Sequence, residues 1–143
     1  QRVSEARVDV DGETVGQIQA GILALVAVER GDGEAQASRM LERILGYRIF
    51  ADDQGRMNRS LKDTGGGLLL VSQFTLAADT ASGMRAGFSG AATPEDGERE
   101  FSRLVEMARA AYSPVETGRF RTHMQVHLIN DGPVTFHLRV APA

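Results

Sequence analysis

Three short segments combine residue types that could carry out chemistry on an ester. They are Ser72–Thr75, Gly83–Phe88 and Asn130–Thr135. Ester cleavage needs hydrogen-bond donors where the carbonyl oxygen becomes negative, and each such donor contributes roughly 2.7–4 kcal/mol in acyl transfer. Backbone N–H groups and hydroxyls in Ser72–Thr75 could supply these donors. Taken alone, the same hydroxyls are more typical of a strand end at which they bond to nearby backbone.

A protein nucleophile is not indicated by the residues around these segments. A serine or threonine nucleophile needs a nearby base, and Ser72 lies outside any Gly-x-Ser-x-Gly pattern, so we do not expect a conventional triad. The three histidines, His123, His127 and His137, are predicted to be structural. The spacing of His123 and His127 lacks a third ligand, and the chain contains no cysteine, so neither a metal nor a cofactor is expected. The sequence leaves open whether a fortuitous metal binds at His123 and His127.

Composition limits the class of protein. The 143 residues, 42% of them hydrophobic, predict one domain over residues 1–143 with a core of its own. The longest apolar run, Gly21–Val28, is much shorter than the roughly 20 residues of a membrane span, so a soluble protein is expected. No signal peptide is indicated. The net charge of -3 argues against a broad surface for polyanions, so any RNA contact should be local.

The first half of the chain predicts strands and one helix. Asp11-Gly12 is a strong signal for a two-residue turn, which predicts a hairpin from Arg2–Val10 and Thr14–Ile18. Gly21–Val28 is predicted to be a central strand that is buried on both faces. Apolar residues at helical spacing then predict a helix over Glu34–Leu45.

The remaining elements position the three candidate segments. Leu68–Leu76 is predicted to be a second core strand, followed by a loop over Ala77–Ala92. Thr93-Pro94 is a well-formed helix start, and the helix is predicted to reach about Tyr112, with Phe101, Leu104, Val105, Ala108 and Ala111 on its core face. The prediction also includes a second hairpin and two final strands: Tyr47–Phe50 with Met57–Leu61, and Met124–Asn130 with Val134–Val140. The fold class is therefore α/β (α+β), a sheet or barrel with two flanking helices.

Several motifs taken together resemble the D-aminoacyl-tRNA deacylases. Ser-Gln-Phe-Thr at 72–75 and Gly-Pro-Val-Thr at 132–135 occur in this order about sixty residues apart, which is far more specific than either motif alone. The resemblance runs along the whole chain. Further matching segments are Arg2-Val3, Leu45–Phe50, Thr117–Phe120 and Asn130–Phe136.

The resemblance implies a fold, an assembly and a site. The fold would be a β-barrel-like sheet with helices outside, in a cytoplasmic homodimer that acts on the 3′-terminal adenosine end of aminoacyl-tRNA, with no DNA or membrane partner. Ser72, Gln73, Phe74 and Thr75 would form the catalytic segment, with Phe74 and Thr75 acting mostly through backbone N–H groups. Gly132 and Pro133, joined by a cis bond, would enter from the partner subunit and select chirality. Arg2, Asn130 and Thr135 would support that segment.

The resemblance also implies a steric basis for selectivity. Backbone oxygens fixed against the substrate's α-carbon leave room for hydrogen but exclude an L side chain. Glycine has no side chain, so glycyl groups mischarged on tRNA-Ala should also be hydrolysed. The activated ester should need only a positioned water and the substrate's 2′-hydroxyl. The preferred tRNA, the importance of glycyl editing and the Gly132-Pro133 isomer stay open.

Two other functions remain as alternatives. One is a non-catalytic tRNA-binding or dimerisation module, and the other is an esterase in which Thr75 attacks small esters covalently. The sequence also departs from the family pattern at Arg121-Thr122-His123 and at Ala86-Gly87. Contacts at the first departure are uncertain, and the second should loosen the loop after Gly83.

Overall fold

The computed structural model describes residues 1–142, which form a curved mixed sheet, a small second sheet and three helices. A single 3-10 turn, Phe74–Ala77, follows the sixth strand. The elements in chain order are β1 (Arg2–Val10), β2 (Glu13–Ile18), β3 (Gly21–Val26), α1 (Glu34–Gly46), β4 (Phe50–Ala51), β5 (Met57–Arg59), α2 (Leu61–Thr64), β6 (Gly67–Ser72), α3 (Pro94–Ala111), β7 (Val115–Thr117) and β8 (Gln125–Asn130).

The predicted first hairpin is confirmed. Strands β1 and β2 pair antiparallel, with Val10 opposite Glu13. Asp11 and Gly12 both have positive φ, at 50° and 80°. A two-residue turn of this kind matches the twist of the flanking strands, and aspartate followed by glycine adopts it at low cost. The local sequence alone therefore determines this hairpin.

Strand β3 lies at the centre of the sheet, as its apolar run predicted. It pairs antiparallel with the start of β1 and parallel with β6, from Gly21 opposite Gly67 to Val26 opposite Ser72. The approach at Gly21 is so close that a Cβ there would lie 2.0 Å from the carbonyl oxygen of Gly67. The strand ends at Val26, two residues before the predicted end.

The sheet curls towards closure. Strand β8 pairs with β1, and β7 pairs parallel with β6. At the other side of the curl, β2 approaches β7 so closely that a Cβ on Gly16 would lie 2.3 Å from the carbonyl oxygen of Thr117. The predicted fold class, a mixed α/β chain with a barrel-like sheet, is confirmed. Strand β7 was not predicted, because three residues between a proline and a glycine carry little periodic signal.

Parallel pairing places the helices on one face of the sheet. A parallel pair requires a crossover connection, and here α1 and α3 lie in the two crossovers that join β3 to β6 and β6 to β7. Strand β6 is consequently buried on both sides: Leu68 and Leu70 pack in the cluster beneath the helices, whereas Leu69 and Val71 pack inside the curl. Both predicted long helices are confirmed, although Ala111 is exposed rather than in the core.

Three further predictions about the strands are wrong. Leu61 begins α2 rather than ending a strand, because the hydroxyl of Ser60 caps that helix by accepting the N–H of Asp63 at 3.2 Å. Strand β6 ends at Ser72 instead of Leu76, and the chain then makes its 3-10 turn. The predicted strand Val134–Val140 is absent, because no neighbouring strand pairs with it within residues 1–142. The second hairpin is present but shorter than predicted.

The helices in residues 1–142 lack the combination of length and apolar composition that crossing a lipid bilayer requires.

Candidate active site

The Ser72–Thr75 segment lies where two parallel strands end together. Strand β6 ends at Ser72 beside Val26, the last residue of β3, and the N–H of Gln73 donates to the carbonyl oxygen of Val26 at 2.7 Å. The carboxyl ends of parallel strands commonly form ligand-binding crevices, because the chain leaves the sheet there. Phe74 and Thr75 are exposed just beyond this edge, and 64% of the Phe74 surface is accessible.

The N–H groups of Phe74 and Thr75 have no acceptor within residues 1–142. They belong to the first residues of the 3-10 turn, whose first internal bond runs from the N–H of Leu76 to the carbonyl oxygen of Gln73 at 3.2 Å. The leading N–H groups of any helical turn lack internal partners. Two adjacent, solvent-facing donors are therefore available to an oxygen atom of a ligand.

Side chains around these donors are held by neighbouring residues. The Nε2 of Gln73 donates to the hydroxyl of Thr75, so that hydroxyl already has a partner. The ring of Phe74 lies 5.2 Å from the ring of Phe88, which comes from the Ala77–Ala92 loop. Reciprocal bonds between Asp79 and Gly87, at 2.7 and 3.0 Å, close the base of that loop. The arrangement gives an aromatic wall next to the two free N–H groups.

Among the described residues, the histidines form no hydrogen bond with this segment, although His137 lines the same cavity as Leu76–Ala78. No hydrogen bond within residues 1–142 joins His123, His127 or His137 to Ser72 or Thr75. His127 lies on β8 with its Nε2 3.4 Å from Asp9, whose pKa is held below the ordinary value first by a hydrogen bond from Thr14. Over the described range, no three side chains of histidine, aspartate or glutamate converge as a metal site requires.

The segment Asn130–Thr135 forms a turn that Arg2 holds in place. The backbone N–H of Asp131 donates to the carbonyl oxygen of Arg2 at 2.9 Å, and the N–H of Arg2 donates to that of Val134 at 3.1 Å. The guanidinium of Arg2 adds a bond from Nε to the carbonyl oxygen of Asp131, at 3.1 Å, and one from Nη1 to that of Ile49, at 2.9 Å. The Arg2 side chain is only 17% exposed, which restricts its motion.

Asn130 holds the same turn from its other side. Its Oδ1 accepts the N–H of Val134 at 3.0 Å, and its Nδ2 donates to the hydroxyl of Thr135 at 2.9 Å. The Nε2 of Gln1 also donates to the Thr135 hydroxyl, at 3.2 Å. The two side chains named for support in the sequence, Asn130 and Thr135, therefore bond to each other across the turn.

Gly132 and Pro133 form the exposed tip of this turn. Their peptide bond is cis, and Gly132 has φ of 126°, a backbone conformation that favours glycine. A Cβ on Gly132 would lie 2.8 Å from Cγ2 of Val134 and 2.9 Å from Nη2 of Arg2. The carbonyl oxygens of Gly132 and Pro133 accept no hydrogen bond within residues 1–142, although those of Asp131 and Val134 on either side are bonded. Two free carbonyl oxygens thus project from a firmly held turn.

Within one chain, the Ser72–Thr75 segment and the Gly132-Pro133 turn remain separate. No hydrogen bond in residues 1–142 connects Ser72–Thr75 with Gly132-Pro133. A cavity of about 590 Å³ lies between their flanking residues, with Leu76–Ala78 on one side and Val134–Val140 on the other. Its remaining wall comes from β3 and the core faces of α1 and α3.

The C-terminal segment over this cavity is held by residues that the sequence analysis did not identify. Arg139 forms two hydrogen bonds to the carboxylate of Glu29, at 2.9 and 3.0 Å. Nearby, burial raises the pKa of Asp32 above its ordinary value, although the N–H of Glu29 donates to its carboxylate at 2.8 Å. Arg139 and Glu29 are 110 residues apart in the sequence, so no local pattern predicts their ion pair.

Comparison with known proteins agrees with this architecture. The family model described as D-Tyr-tRNA(Tyr) deacylase matches residues 1–139. A D-aminoacyl-tRNA deacylase of Stenotrophomonas maltophilia (strain K279a) is 68% identical over 140 residues, which cover 97% of this chain and 96% of that protein. One from Alkalilimnicola ehrlichii (strain ATCC BAA-1101 / DSM 17681 / MLHE-1) is 64% identical over 143 residues, covering 100% of this chain and 95% of that protein.

Solved structures share the fold. The c-Myc DNA Unwinding Element Binding Protein superposes with a TM-score of 0.94 at 35% identity, covering 99% of this chain and 96% of that one. A structure described as "a probable eukaryotic D-amino acid tRNA deacylase" superposes with a TM-score of 0.72 at 12% identity, covering 92% and 91% of the two chains, and this likeness concerns the fold alone.

The barrel-like sheet, the free donors at its edge and the match over nearly the whole chain define a hydrolase that acts on aminoacyl-tRNA. The chain belongs to the D-Tyr-tRNA(Tyr) deacylase family.

Proposed function

We propose that this chain hydrolyses the ester bond of D-aminoacyl-tRNA and releases the free D-amino acid and tRNA. The names of the relatives from Stenotrophomonas maltophilia and Alkalilimnicola ehrlichii support this substrate. Residues 1–143 act as one domain, in the cytoplasm, where aminoacyl-tRNA is made and used. The observation that carries the proposal is the exposed turn at Gly132-Pro133, whose two carbonyl oxygens are free while its neighbours are bonded.

The N–H groups of Phe74 and Thr75 stabilise the oxyanion. A water molecule attacks the ester carbonyl, the carbonyl oxygen becomes negative, and the bond to the ribose oxygen then breaks. Two preorganised donors next to that oxygen are worth several kcal/mol in the transition state, since one alone contributes roughly 2.7–4 kcal/mol. The ribose 2′-hydroxyl assists the water, and the Thr75 hydroxyl serves only as an acceptor for the Nε2 of Gln73 in this proposal. Ser72 and Gln73 shape the pocket for the terminal adenosine.

Chirality is selected by the carbonyl oxygens of Gly132 and Pro133. Two copies of the chain form a homodimer, and the turn of one subunit faces the Ser72–Thr75 segment of the other. The separation of the two groups within one chain supports this arrangement. An oxygen held against the α-carbon tolerates a hydrogen atom but excludes the side chain of an L-residue, so selection needs no contact with the side chain.

The same reasoning extends the substrates to glycyl-tRNA. Glycine presents hydrogen in both positions on its α-carbon, so a steric filter made of backbone oxygens does not exclude it. We propose that glycine mischarged on tRNA-Ala is hydrolysed. Arg2, Asn130 and Thr135 act as positioning residues, because each bonds to the turn rather than extending beyond it.

DNA binding is the competing function. Its support is the similarity to the c-Myc DNA Unwinding Element Binding Protein, at 35% identity. We propose RNA as the partner instead, because the free donors and carbonyl oxygens suit an aminoacyl ester that DNA lacks. Competition by a DNA duplex during the hydrolysis assay distinguishes the two, since tight binding of DNA should inhibit the reaction.

The first test measures amino acid released from D-, L- and glycyl-esters of one tRNA. We expect release from the D- and glycyl-esters but not from the L-ester. No release from any ester, with tRNA still bound, would favour a binding module without catalysis. Equal release from D- and L-esters would mean that the proposed filter is wrong.

Two variants separate the mechanisms. Gly132→Ala adds a Cβ within 3 Å of Arg2 and Val134, so the turn must shift, and hydrolysis of the L-ester should appear. Thr75→Ala keeps the backbone N–H and should retain most activity. Complete loss in Thr75→Ala, together with a trapped acyl-enzyme in the parent protein, would favour the covalent esterase instead.

A further inference from the structure

Ion pairing divides the basic residues of this acidic chain into two groups. Among residues 1–142, seven of the sixteen lysine and arginine side chains lie within 4.0 Å of a carboxylate. The other nine have no carboxylate within that distance in the described range. Five of the nine fall in a single stretch of twenty residues: Arg43, Arg48, Arg56, Arg59 and Lys62.

Two carboxylates in or beside this stretch accept hydrogen bonds from backbone groups, whereas Asp53 is exposed. Asp52 accepts the N–H groups of Gln54 and Arg56, each at 2.9 Å, and so forms the hairpin turn. Asp63, just beyond the stretch, accepts the N–H of Ser60 at 2.8 Å and so caps α2. Both acids bond to local backbone, and among the described residues neither has a lysine or arginine nitrogen within 4.0 Å, although the charge of Arg59 acts on both.

Four of the cations are exposed on one small unit. Arg56 and Arg59 lie on or next to β5, Arg48 precedes β4, and Lys62 is on α2. The pKa of Asp63 is lowered first by its hydrogen bonds with Ser60 and then by the charges of Arg59 and Arg48, so both guanidiniums lie near that carboxylate. We call Arg48, Arg56, Arg59 and Lys62 the hairpin cation surface.

This surface is linked directly to the Gly132 turn. Arg2 donates to the carbonyl oxygen of Ile49 as well as to that of Asp131, so one guanidinium connects the root of the hairpin to the turn. Arg59 lies opposite Phe50 in the strand register, one residue from Ile49. Cross-strand neighbours are about 5 Å apart, so Arg59 lies next to the root of the hairpin that Arg2 ties to the turn. The hairpin cation surface therefore stays next to the Gly132 turn, whichever subunit's site that turn enters.

We propose that the hairpin cation surface binds phosphate groups of the substrate RNA beyond its terminal nucleotide. This inference rests on the proposed function. With its 3′ end at the site, the RNA must leave along some face of a protein whose net charge of -3 repels it. Exposed guanidinium and ammonium groups without carboxylate partners attract phosphates and release counterions, which makes binding depend on salt.

The test compares two substrates that share the reacting ester. D-tyrosyl-tRNA carries the phosphate backbone, whereas the D-tyrosyl ester of adenosine does not. In Arg56→Gln/Lys62→Gln, we expect KM for D-tyrosyl-tRNA to rise about tenfold at low salt, with kcat unchanged. The slope of log(kcat/KM) against log salt should fall by roughly 1.4–1.8, the value for two lost phosphate contacts. Kinetics on the adenosine ester should not change.

Matched variants control for charge and for folding. Arg121→Gln also removes one exposed arginine, which lies beside Glu95 near the opposite end of α3 from α2, and should change KM for tRNA less than twofold. Asp53→Asn removes an exposed acid from the hairpin itself and should lower KM. An equal rise in KM with Arg121→Gln, or equal losses on both substrates, would overturn the proposal.

Binding of uncharged tRNA separates this proposal from the proposed function. If the parent protein hydrolyses neither D-ester, the proposed function fails, but weaker tRNA binding by Arg56→Gln/Lys62→Gln still supports the cation surface. If the parent hydrolyses both D-esters and the double variant binds and hydrolyses D-tyrosyl-tRNA like the parent, only the cation surface is wrong.

Discussion

The guanidinium of Arg2 donates to the carbonyl oxygen of Asp131 across 129 residues of sequence. The same group donates to Ile49, so one side chain fixes two loops at once. A lysine has a single ammonium and cannot reproduce this planar geometry. The position of the Gly132 turn therefore depends on a side chain at the opposite end of the chain.

Arg2→Lys should lower kcat/KM for D-aminoacyl-tRNA by about 10- to 100-fold, because a hydrogen bond from a charged group contributes roughly 1.5–3 kcal/mol. Discrimination against L-esters should weaken at the same time, which a general loss of stability does not cause. Arg7→Lys on the same strand alters a partly exposed pair with Asp9 and serves as the control. If the Arg2→Lys variant keeps its selectivity, Arg2 is not a positioning residue.

Asn130 and Thr135 should act as a coupled pair. Asn130→Ala removes two hydrogen bonds to the turn, and Thr135→Val removes the one that joins the two side chains together with the bond from Gln1. Each bond contributes about 1 kcal/mol, so the double variant should lose less than the sum of the two single losses. The coupling is measured from the rates at which the parent, the two single variants and the double variant hydrolyse D- and L-esters. Strict additivity would show that the bond between the two side chains has no part in selection.

The contribution of the Phe74 N–H to catalysis can be measured separately from that of the Phe74 ring. Phe74→Pro removes the N–H at the first position of the turn, where proline is tolerated, and Gln73 before it, at φ -144° and ψ 79°, is outside the helical region that a following proline disfavours. Phe74→Ala removes the ring but keeps the N–H. We expect kcat of the proline variant to fall a further 10²–10³-fold below that of the alanine variant. Equal rates in the two variants would exclude this N–H from oxyanion stabilisation.

Asp32 should make the folded protein less stable at neutral pH than an asparagine would. Burial raises its pKa, so ionisation costs more in the folded than in the unfolded state, and this cost is present at pH values above the pKa of an unfolded aspartate, about 3.9. Asp32→Asn keeps an acceptor for the N–H of Glu29. Its Tm should exceed that of the parent at pH 7 to 8, and the difference should vanish as the pH falls below about 4. A difference independent of pH would point to packing instead of charge.

Local signals determined the parts of the fold that were predicted well. Asp11-Gly12 specifies a turn by backbone preference, and Thr93-Pro94 specifies a helix start, with the Thr93 hydroxyl accepting the N–H of Asp96 at 3.2 Å. Neither depends on distant residues. The central strand was also predictable, because a continuous apolar run requires cover on both faces.

The strand predictions were wrong where pairing between distant strands determines the structure. Val134–Val140 has the composition of a strand, but it pairs with no strand among the described residues. Leu76 continues an apolar run, yet pairing with β3 ends at Ser72 because β3 itself ends at Val26. The candidate site was named from motifs, and its roles stay predictions. The free N–H groups at Phe74 and Thr75 follow from the 3-10 turn, which the motif does not specify.

The bond between Arg2 and Asp131 also constrains when the protein can become active. Ribosomes add roughly 5–20 residues per second, so Arg2 is made on the order of ten seconds before Asp131 exists to accept its hydrogen bond. Until that moment the turn at Gly132 is not yet made, and β8, which carries Asn130 to β1, has no sequence from which to form. A nascent chain therefore lacks the proposed selectivity turn until Thr135 has been added, however early β1 and β2 pair.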